Sequence, residues 1–373
     1  MNRVVALLRC IHKGVPVIKH LHPFVFLREL RDVLKASREL KQTKKISYGK
    51  QIIDLLRVGV KCKLYPIDYY ILGLWKPEQW GNLDTFISIK THPKRLVNLY
   101  RKIGVPPIWS KEDFYCFCEA NQLPLVPIIS LYENATEREV AGWEGVPKDS
   151  DFYVKPLTGY CGNNVEHWKY CDGSYIQGEY TFTIEELRKE FSQRSRNESL
   201  VLQPRIKNHA SMNHLSDGLC TARIVTTRGT DGEIDIILPT LRIPRKGSAV
   251  DNFSATGIAF GIDKDTGSLC SGFKKEHNVT TEIDGHPDTG VRISGSILPL
   301  WEEACALCIR AQKACEVEHF VGWDVAITDS GPVLLEGNRA FGSDVNQVAN
   351  KIGFYATSFP DNYRDHWNSV CKW

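Results

Sequence analysis

No sign of charge dominates the 373 residues: 47 lysines and arginines stand against 44 acids, a formal net charge of +3. Neither a nucleic acid nor an acidic polymer is therefore an obvious partner for the whole chain. No apolar run is long enough to cross a bilayer, since VVALL and FVFL near the start are short and interrupted by charge. These runs also lack the small-residue cleavage site of a secretory leader. The N-x-S/T sequons at Asn134, Asn197, Asn252 and Asn278 accordingly carry no weight. Twelve cysteines are scattered without the spacing of a disulfide scaffold, which suits a reducing cytoplasm. Cys305 and Cys308 form a CxxC, but with no second pair at zinc spacing they read as reduced thiols packed in a helix. There is no GxxxxGK[ST] and no GxGxxG, which removes the P-loop and the dinucleotide fingerprint as phosphate binders. Internal repeats, low-complexity tracts and an evident Ser-His or Cys-His nucleophile are missing too.

What is present is the composition of an ordinary globular protein, 42% hydrophobic and 24% charged, with length for two or three packed subdomains. Met1 to Lys50 is basic and helix-prone, with Arg3, Arg9, Lys13, Lys19 and eight further cations set against Glu29, Asp32 and Glu39. It reads either as an arm that touches an anionic membrane surface or as helices that pack on the main body with a solvated lysine face. The second is favoured, because charge runs are usually solvated faces. Lys50 to Tyr100 continues in helical, aromatic-rich style. The prolines from Pro106 to Pro127 mark a boundary between this helical region and the catalytic part of the chain.

The most informative stretch is Val321 to Asn338, VGWDVAITDSGPVLLEGN. Two apolar runs around Asp329-Ser330-Gly331 predict a β-hairpin. With the turn centred on Ser330, Asp324 falls opposite Glu336, and Asn338 shares the face of Glu336. Two opposed acids in apolar surroundings require something positive between them. Carboxylates plus an amide oxygen are a hard donor set suited to Mg²⁺. The alternative is an ordinary hairpin whose acids happen to match, and a one-residue shift in the turn centre would put them on opposite faces.

Upstream, Asp151 to Pro156 reads as a strand carrying Lys155, followed by a glycine loop through Gly159 and Gly162 and a second strand. Such a loop is either a flap whose amides close over phosphate, with Lys155 at its root, or a plain hairpin connection. Thr183-x-x-Glu186 opens a helix with a capping box running to about Arg194. Leu200 to Ile206 is a strand interrupted by Pro204, better suited to an edge or hinge than to a sheet centre. An antiparallel meander of Leu219–Thr227, Glu233–Ile243 and Gly257–Ile262 comes next, with Arg223 and Arg242 facing away from the apolar set. Both are anchors for phosphate or carboxylate, or exposed strand arginines. A long amphipathic helix from Ile297 to Glu318 leads into the hairpin.

Taken in order, DFYVKPLTGYCG, LVLQPRIKNH, TARIVTT, VDNF and GWDVAIT…LLEGN resemble the ATP-grasp superfamily, and more narrowly the sugar-transfer-associated ATP-grasp proteins. The resemblance covers roughly Ser110 to Gln347. It implies an α+β fold of two subdomains clasping ATP behind an N-terminal helical extension, with boundaries at 1–109, 110–199 and 200–373. Lys155 and Lys111 would bind ATP phosphates beneath the Gly159–Gly162 flap, and Gln203, Pro204 and Arg205 would border adenine. Asp324, Glu336 and Asn338 would hold Mg²⁺, and Arg223 would stabilise the transferred phosphoryl group. His209, Arg242 and Asn252 are the substrate-binding candidates, although His209 reads equally as a cap on its own loop. The Ala255-Thr256 pair departs from the glycines such a segment is expected to carry.

The activity implied is an ATP- and Mg²⁺-dependent carboxylate–amine ligase working through an acyl phosphate, on a cell-surface polysaccharide or its sugar precursor. A phosphotransferase on a sugar or small molecule, and a non-catalytic nucleotide-binding partner of a glycosyltransferase complex, are the alternatives. The expected setting is the cytoplasm; the alternative reading of the basic segment as a membrane-touching arm would place it at the inner membrane face.

Overall fold

A computed structural model describes residues 23–106, 109–142, 150–157, 165–246 and 257–370, with side chains of the first helix from Glu29 onward. A helical layer comes first: α1 (Pro23–Lys44), α2 (Tyr48–Cys62) and α3 (Pro66–Ile71). Ser47 ends the turn before α2 by accepting from the Lys50 amide, so the second helix starts where its first free N–H groups find a partner. The inner faces of the three helices bring Val33, Ala36, Leu40, Val58 and Tyr69 into one cluster with Phe273, Val279 and Val345 from the body. The basic segment thus packs on the main body from Glu29 to Lys50. Residues 1–22 lie outside the described residues.

The first sheet has the order β2-β1-β7-β3-β4-β5-β6. Its strands are β1 (Ser130–Glu133), β2 (Thr136–Glu139), β3 (Phe152–Pro156), β4 (Glu166–Cys171), β5 (Ser174–Gln177), β6 (Tyr180–Phe182) and β7 (Leu200–Pro204). Phe152, Trp168, Phe191 and Leu202 fill the core beneath it. The strand expected at an edge or hinge is interior: β7 is hydrogen-bonded to both β1 and β3. Pro204 is tolerated because it is the last residue of the strand, where its missing N–H costs the ladder little. Thr183 caps the helix Ile184–Arg194 with Glu186 reciprocating, as the capping box predicts.

The second sheet is antiparallel throughout, in the order β12-β11-β10-β9-β8-β13-β14. It comprises β8 (Thr221–Arg228), β9 (Ile234–Ile243), β10 (Ile258–Ile262), β11 (Leu269–Glu276), β12 (Val279–Ile283), β13 (Phe320–Thr328) and β14 (Gly331–Asn338). One face is closed by two helices, Lys111–Ala120 and Trp301–Ala314. Phe114, Cys118, Leu307 and Ala311 pack there on Ala222, Ile224, Trp323 and Val325. The second of these helices is shorter than the span from Ile297 to Glu318. Leu300 before it is left-handed and Cys315 after it is extended. Cys305 and Cys308 are free thiols, and burial pushes Cys305 up to about 12 and Cys308 well above the usual range. Arg223 and Asp324 alternate with the core residues and stand on the opposite face.

The two sheets are stitched by the segment Pro124–Val126, which runs along the outer edge of β14 before the chain enters β1. Leu334 donates its amide to the Pro124 carbonyl at 2.9 Å, and the Val126 amide donates to the Leu334 carbonyl at 3.1 Å.

Candidate functional site

The hairpin of β13 and β14 turns through Asp329-Ser330, a two-residue connection with Thr328 opposite Gly331 and Val325 opposite Leu334. The turn centre is therefore half a residue from the Ser330 centre expected. A register shift between Asp324 and Val325 places one extra residue on β14, and beyond it Asp324 pairs with Glu336. The bulge decides the site. In a regular strand Glu336 would share the face of Leu334, which is buried in the core; the bulge turns it to the other face.

On its other side Asp324 pairs with Arg223 of β8. Arg223 Nε donates to Oδ1 of Asp324 and Nη2 donates to Oδ2 at 3.1 Å. Arg242 Nη2 lies 3.0 Å from the same Oδ2 and also donates to the Thr221 hydroxyl at 2.6 Å. Burial would raise the Asp324 carboxyl, but Arg223 and Arg242 outweigh it and hold the group below the usual carboxylate range. Gly322 makes room for this arrangement: a Cβ there would meet the Arg223 Cδ at 3.3 Å and the Phe341 Cβ at 3.0 Å.

Glu336 has a different environment. Its side chain is exposed by surface area, yet protein surrounds it as densely as a buried group. Both hold for a carboxylate lining a cleft, and the exposure governs what can reach it. Its pKa is raised, first by desolvation and then by the Asp324 charge, against the pull of Arg223, Lys111 and Lys155. Among the described residues it has no hydrogen-bond or ion-pair partner. Asn338, opposite Gly322 and on the face of Glu336, has a buried Nδ2 without a partner among the described residues.

The lysines come from both sides of the seam, Lys155 from β3 of the first sheet and Lys111 from the helix packed on the second. Ser110 caps its helix by accepting from the Asp113 amide at 2.9 Å. Trp109 packs against Gly337 of β14, where a Cβ would stand 2.5 Å from the indole. That contact seats the helix start, and Lys111 Nζ donates across to the carbonyls of Pro156 at 2.8 Å and Leu157 at 3.3 Å. Lys155 Nζ donates to Gln203 Oε1 at 2.9 Å, and Gln203 Nε2 donates to the Val126 carbonyl at 3.4 Å. Desolvation brings Lys155 down to about 8, with Glu336 opposing and Lys111 adding to the shift. Lys111 is lowered by the same burial and supported by Glu336.

Other predicted residues lie elsewhere or outside the description. Arg205 donates to Asp151 Oδ2 at 2.9 Å, an oxygen shared with His167, so it belongs to a network within the first sheet. Pro204 closes β7 beside Gln203. His209 caps a short turn, accepting from the Ser211 amide at 3.2 Å, while its own backbone amide donates to Ile327 at the turn end of β13. Its Nε2 lies 3.9 Å from Asp329 Oδ1 in the β13–β14 turn. Gly159, Gly162 and Asn252 lie outside the described residues. Trp109 and Thr221 were missed by the sequence reading. Thr221 was findable, being two residues from Arg223 on one strand face, whereas nothing in the sequence pairs Trp109 with Gly337.

The donor set is that of an open site for a hard dication. Among the described residues no three His, Cys, Asp or Glu side chains form a cage. Mg²⁺ does not need one, since it is commonly held by one or two carboxylates with substrate phosphates and water. The partnerless Glu336 carboxylate and the partnerless Asn338 amide, whose two ends are interchangeable, fit that role. Three of the roughly four lone-pair sites of Asp324 are already taken by guanidinium donors.

A family model described as sugar-transfer associated ATP-grasp matches residues 97–358. Among solved structures, the chain is similar to the ATP-grasp ligase PsnB complexed with minimal precursor, Mg and ADP, at 12% identity over 69% of this chain and 58% of that one, TM-score 0.34. It is also similar to N5-carboxyaminoimidazole synthetase from Staphylococcus aureus complexed with ADP, at 11% identity over 69% and 52%, TM-score 0.40. A third likeness is to the D-alanine–D-alanine ligase from Bacillus anthracis, at 11% identity over 70% and 69%, TM-score 0.39. The chain spans less than two thirds of the length of the first two. It matches no curated protein in sequence.

Proposed function

The chain belongs to the sugar-transfer associated ATP-grasp family, and from that premise we propose that it is an ATP-dependent ligase joining a carboxylate to an amine through an acyl phosphate. The observation that carries the reading is the seam where Lys111, Lys155, Arg223 and Arg242 face Asp324 and Glu336. Four cations against two anions leave a surplus suited to a polyphosphate and an acidic substrate.

In this reading Lys155 from the first sheet and Lys111 from the helix packed on the second sheet bind and orient the terminal phosphates. An oxygen of the acceptor carboxylate attacks the γ-phosphorus, and the bond from that phosphorus to the bridging oxygen of ADP breaks. The amine then attacks the acyl carbon, inorganic phosphate leaves, and the nitrogen loses a proton. Arg223 is the guanidinium nearest the opposed acids, and its two hydrogen bonds to Asp324 hold it in place while charge builds on the transferred group. Arg242 is poised to meet the acceptor carboxylate, anchored by Thr221. Glu336 and Asn338 would hold Mg²⁺, with Asp324 beside them; when bound, it supplies neutralisation of phosphate charge. The acceptor in this reading is a sugar acid of a surface polysaccharide or its precursor, a choice motivated by the family's association with sugar transfer.

The test is ADP release with Mg·ATP and pooled uronic acids and amino acids, with and without amines. Release that needs both an acid and an amine, with an amide product by mass spectrometry, is the expected result. Release on the sugar pool alone with a phosphorylated product would replace the ligase by a phosphotransferase.

A further inference from the structure

Helix α2 packs Val58, Gln51 and Asp54 inward and leaves an apolar stripe outside. Ile53, Leu56 and Val60 are 53%, 40% and 76% exposed, and their spacing of three and four residues puts them on one face. Lys50, Arg57 and Lys61 run alongside as a second stripe, all exposed. Lys50 and Arg57 lie 5.7 and 5.8 Å from the ring of Trp80, a half-buried aromatic on the flank. At the start of the helix Tyr48 is 39% exposed, with Lys41 Nζ 4.3 Å over its ring. The only acid of α2, Asp54, is buried and held by Tyr69 and Lys50.

We propose that this outer face of α2 is a peripheral docking surface for an anionic lipid bilayer. Apolar side chains that enter the acyl boundary, aromatics at their flank and cations such as Arg57 and Lys61, which have no ion-pair partner among the described residues, are the combination such a surface recognises. Charge argues against the other occupants. A second copy meeting this face would set Arg57 and Lys61 against the same residues. The segment Met1–His22 carries Arg3, Arg9, Lys13 and Lys19 and no acid, so it adds cations rather than countering them. The helical layer packs at the β11–β12 end of the second sheet, whereas the carboxylates sit at the β13–β14 end. Six strand gaps, about 29 Å, separate those edges, so docking leaves the seam open. A protein so attached would work on acceptors presented at a membrane.

Co-sedimentation of the full chain with phosphatidylglycerol–phosphatidylcholine vesicles tests this, with pure phosphatidylcholine as comparison. Binding is expected to the anionic vesicles and to weaken as salt is raised. Arg57→Gln/Lys61→Gln should lower the apparent affinity by roughly thirtyfold, from the usual worth of two cations near such a surface. Ile53→Ser/Leu56→Ser/Val60→Ser should abolish binding while thermal melting stays as in the parent, since all three side chains are exposed. Full binding by the serine variant would overturn the proposal and assign the contact to another segment. Dimerisation without vesicles that the serine variant abolishes would overturn it in favour of self-association.

Discussion

Asp324 stands opposite Glu336 because β14 carries one residue more than its two-residue turn alone would place there, and the two carboxylates then diverge in role. Asp324 is 6% exposed and bound by two guanidinium groups, whereas Glu336 is exposed and has no partner among the described residues.

Removing the Asp324 charge should therefore destabilise the fold. Asp324→Ala removes the carboxylate that Arg223 and Arg242 share in a buried setting, and breaking such a pair typically costs about 3–5 kcal/mol. Denaturant titration measures it; a loss below about 1 kcal/mol would mean that the arginines find other partners.

Glu336→Gln should do the reverse. Its folded pKa is raised, so ionisation at neutral pH works against folding, and the stability tied to the protonated form is lost as pH rises through that pKa. The amide removes that cost. Stability should stay within about 0.5 kcal/mol of the parent or rise, while Mg²⁺-dependent nucleotide turnover disappears. Full turnover in this variant would remove Glu336 from the metal site.

Lys155 gives a pH signature. Its pKa is lowered to about 8, and a polyphosphate favours the charged amine. ATP affinity should be constant below pH 8 and fall by up to about tenfold per unit above it, as expected when binding requires one proton. Lys155→Arg, charged throughout, should bind with a flat profile. Calorimetric titration between pH 7 and 9.5 tests both, and a flat profile in the parent would separate Lys155 from the phosphates.

Gly337→Ala should disturb the site without touching a charged group. A methyl there meets the Trp109 indole and the Phe114 ring, so the helix bearing Lys111 must shift. Overpacking of this kind costs roughly 1–3 kcal/mol. ATP affinity should fall with it, and Trp109→Phe in the same chain should restore part of both losses. Unchanged affinity would mean that Lys111 is placed independently of β14.

Much of this was legible in the chain because the signals are local. Alternation put Arg223 and Ala222 on opposite faces, the Thr183–Glu186 box opened its helix, and the ordered motifs pointed to the family. Pairing was less legible. The opposition of Asp324 and Glu336 was reached through a turn centre that the structure moves, and the bulge at Leu335 restores the pair. The interior place of β7 was misread because a proline was weighed without knowing that it ends the strand. β11 and β12 were not anticipated as a pair of strands beyond the meander.

The sequence by itself determined the donor types, their order and the faces of the strands, since side-chain period and capping act over a few residues. Only the tertiary structure decided which of the two acids is free, which lysines reach across the seam and which face of α2 stays in solvent. Those outcomes rest on contacts between residues far apart in the chain: Arg242 with Asp324, Lys111 with Pro156, Trp109 with Gly337, and the helical layer with β11 and β12.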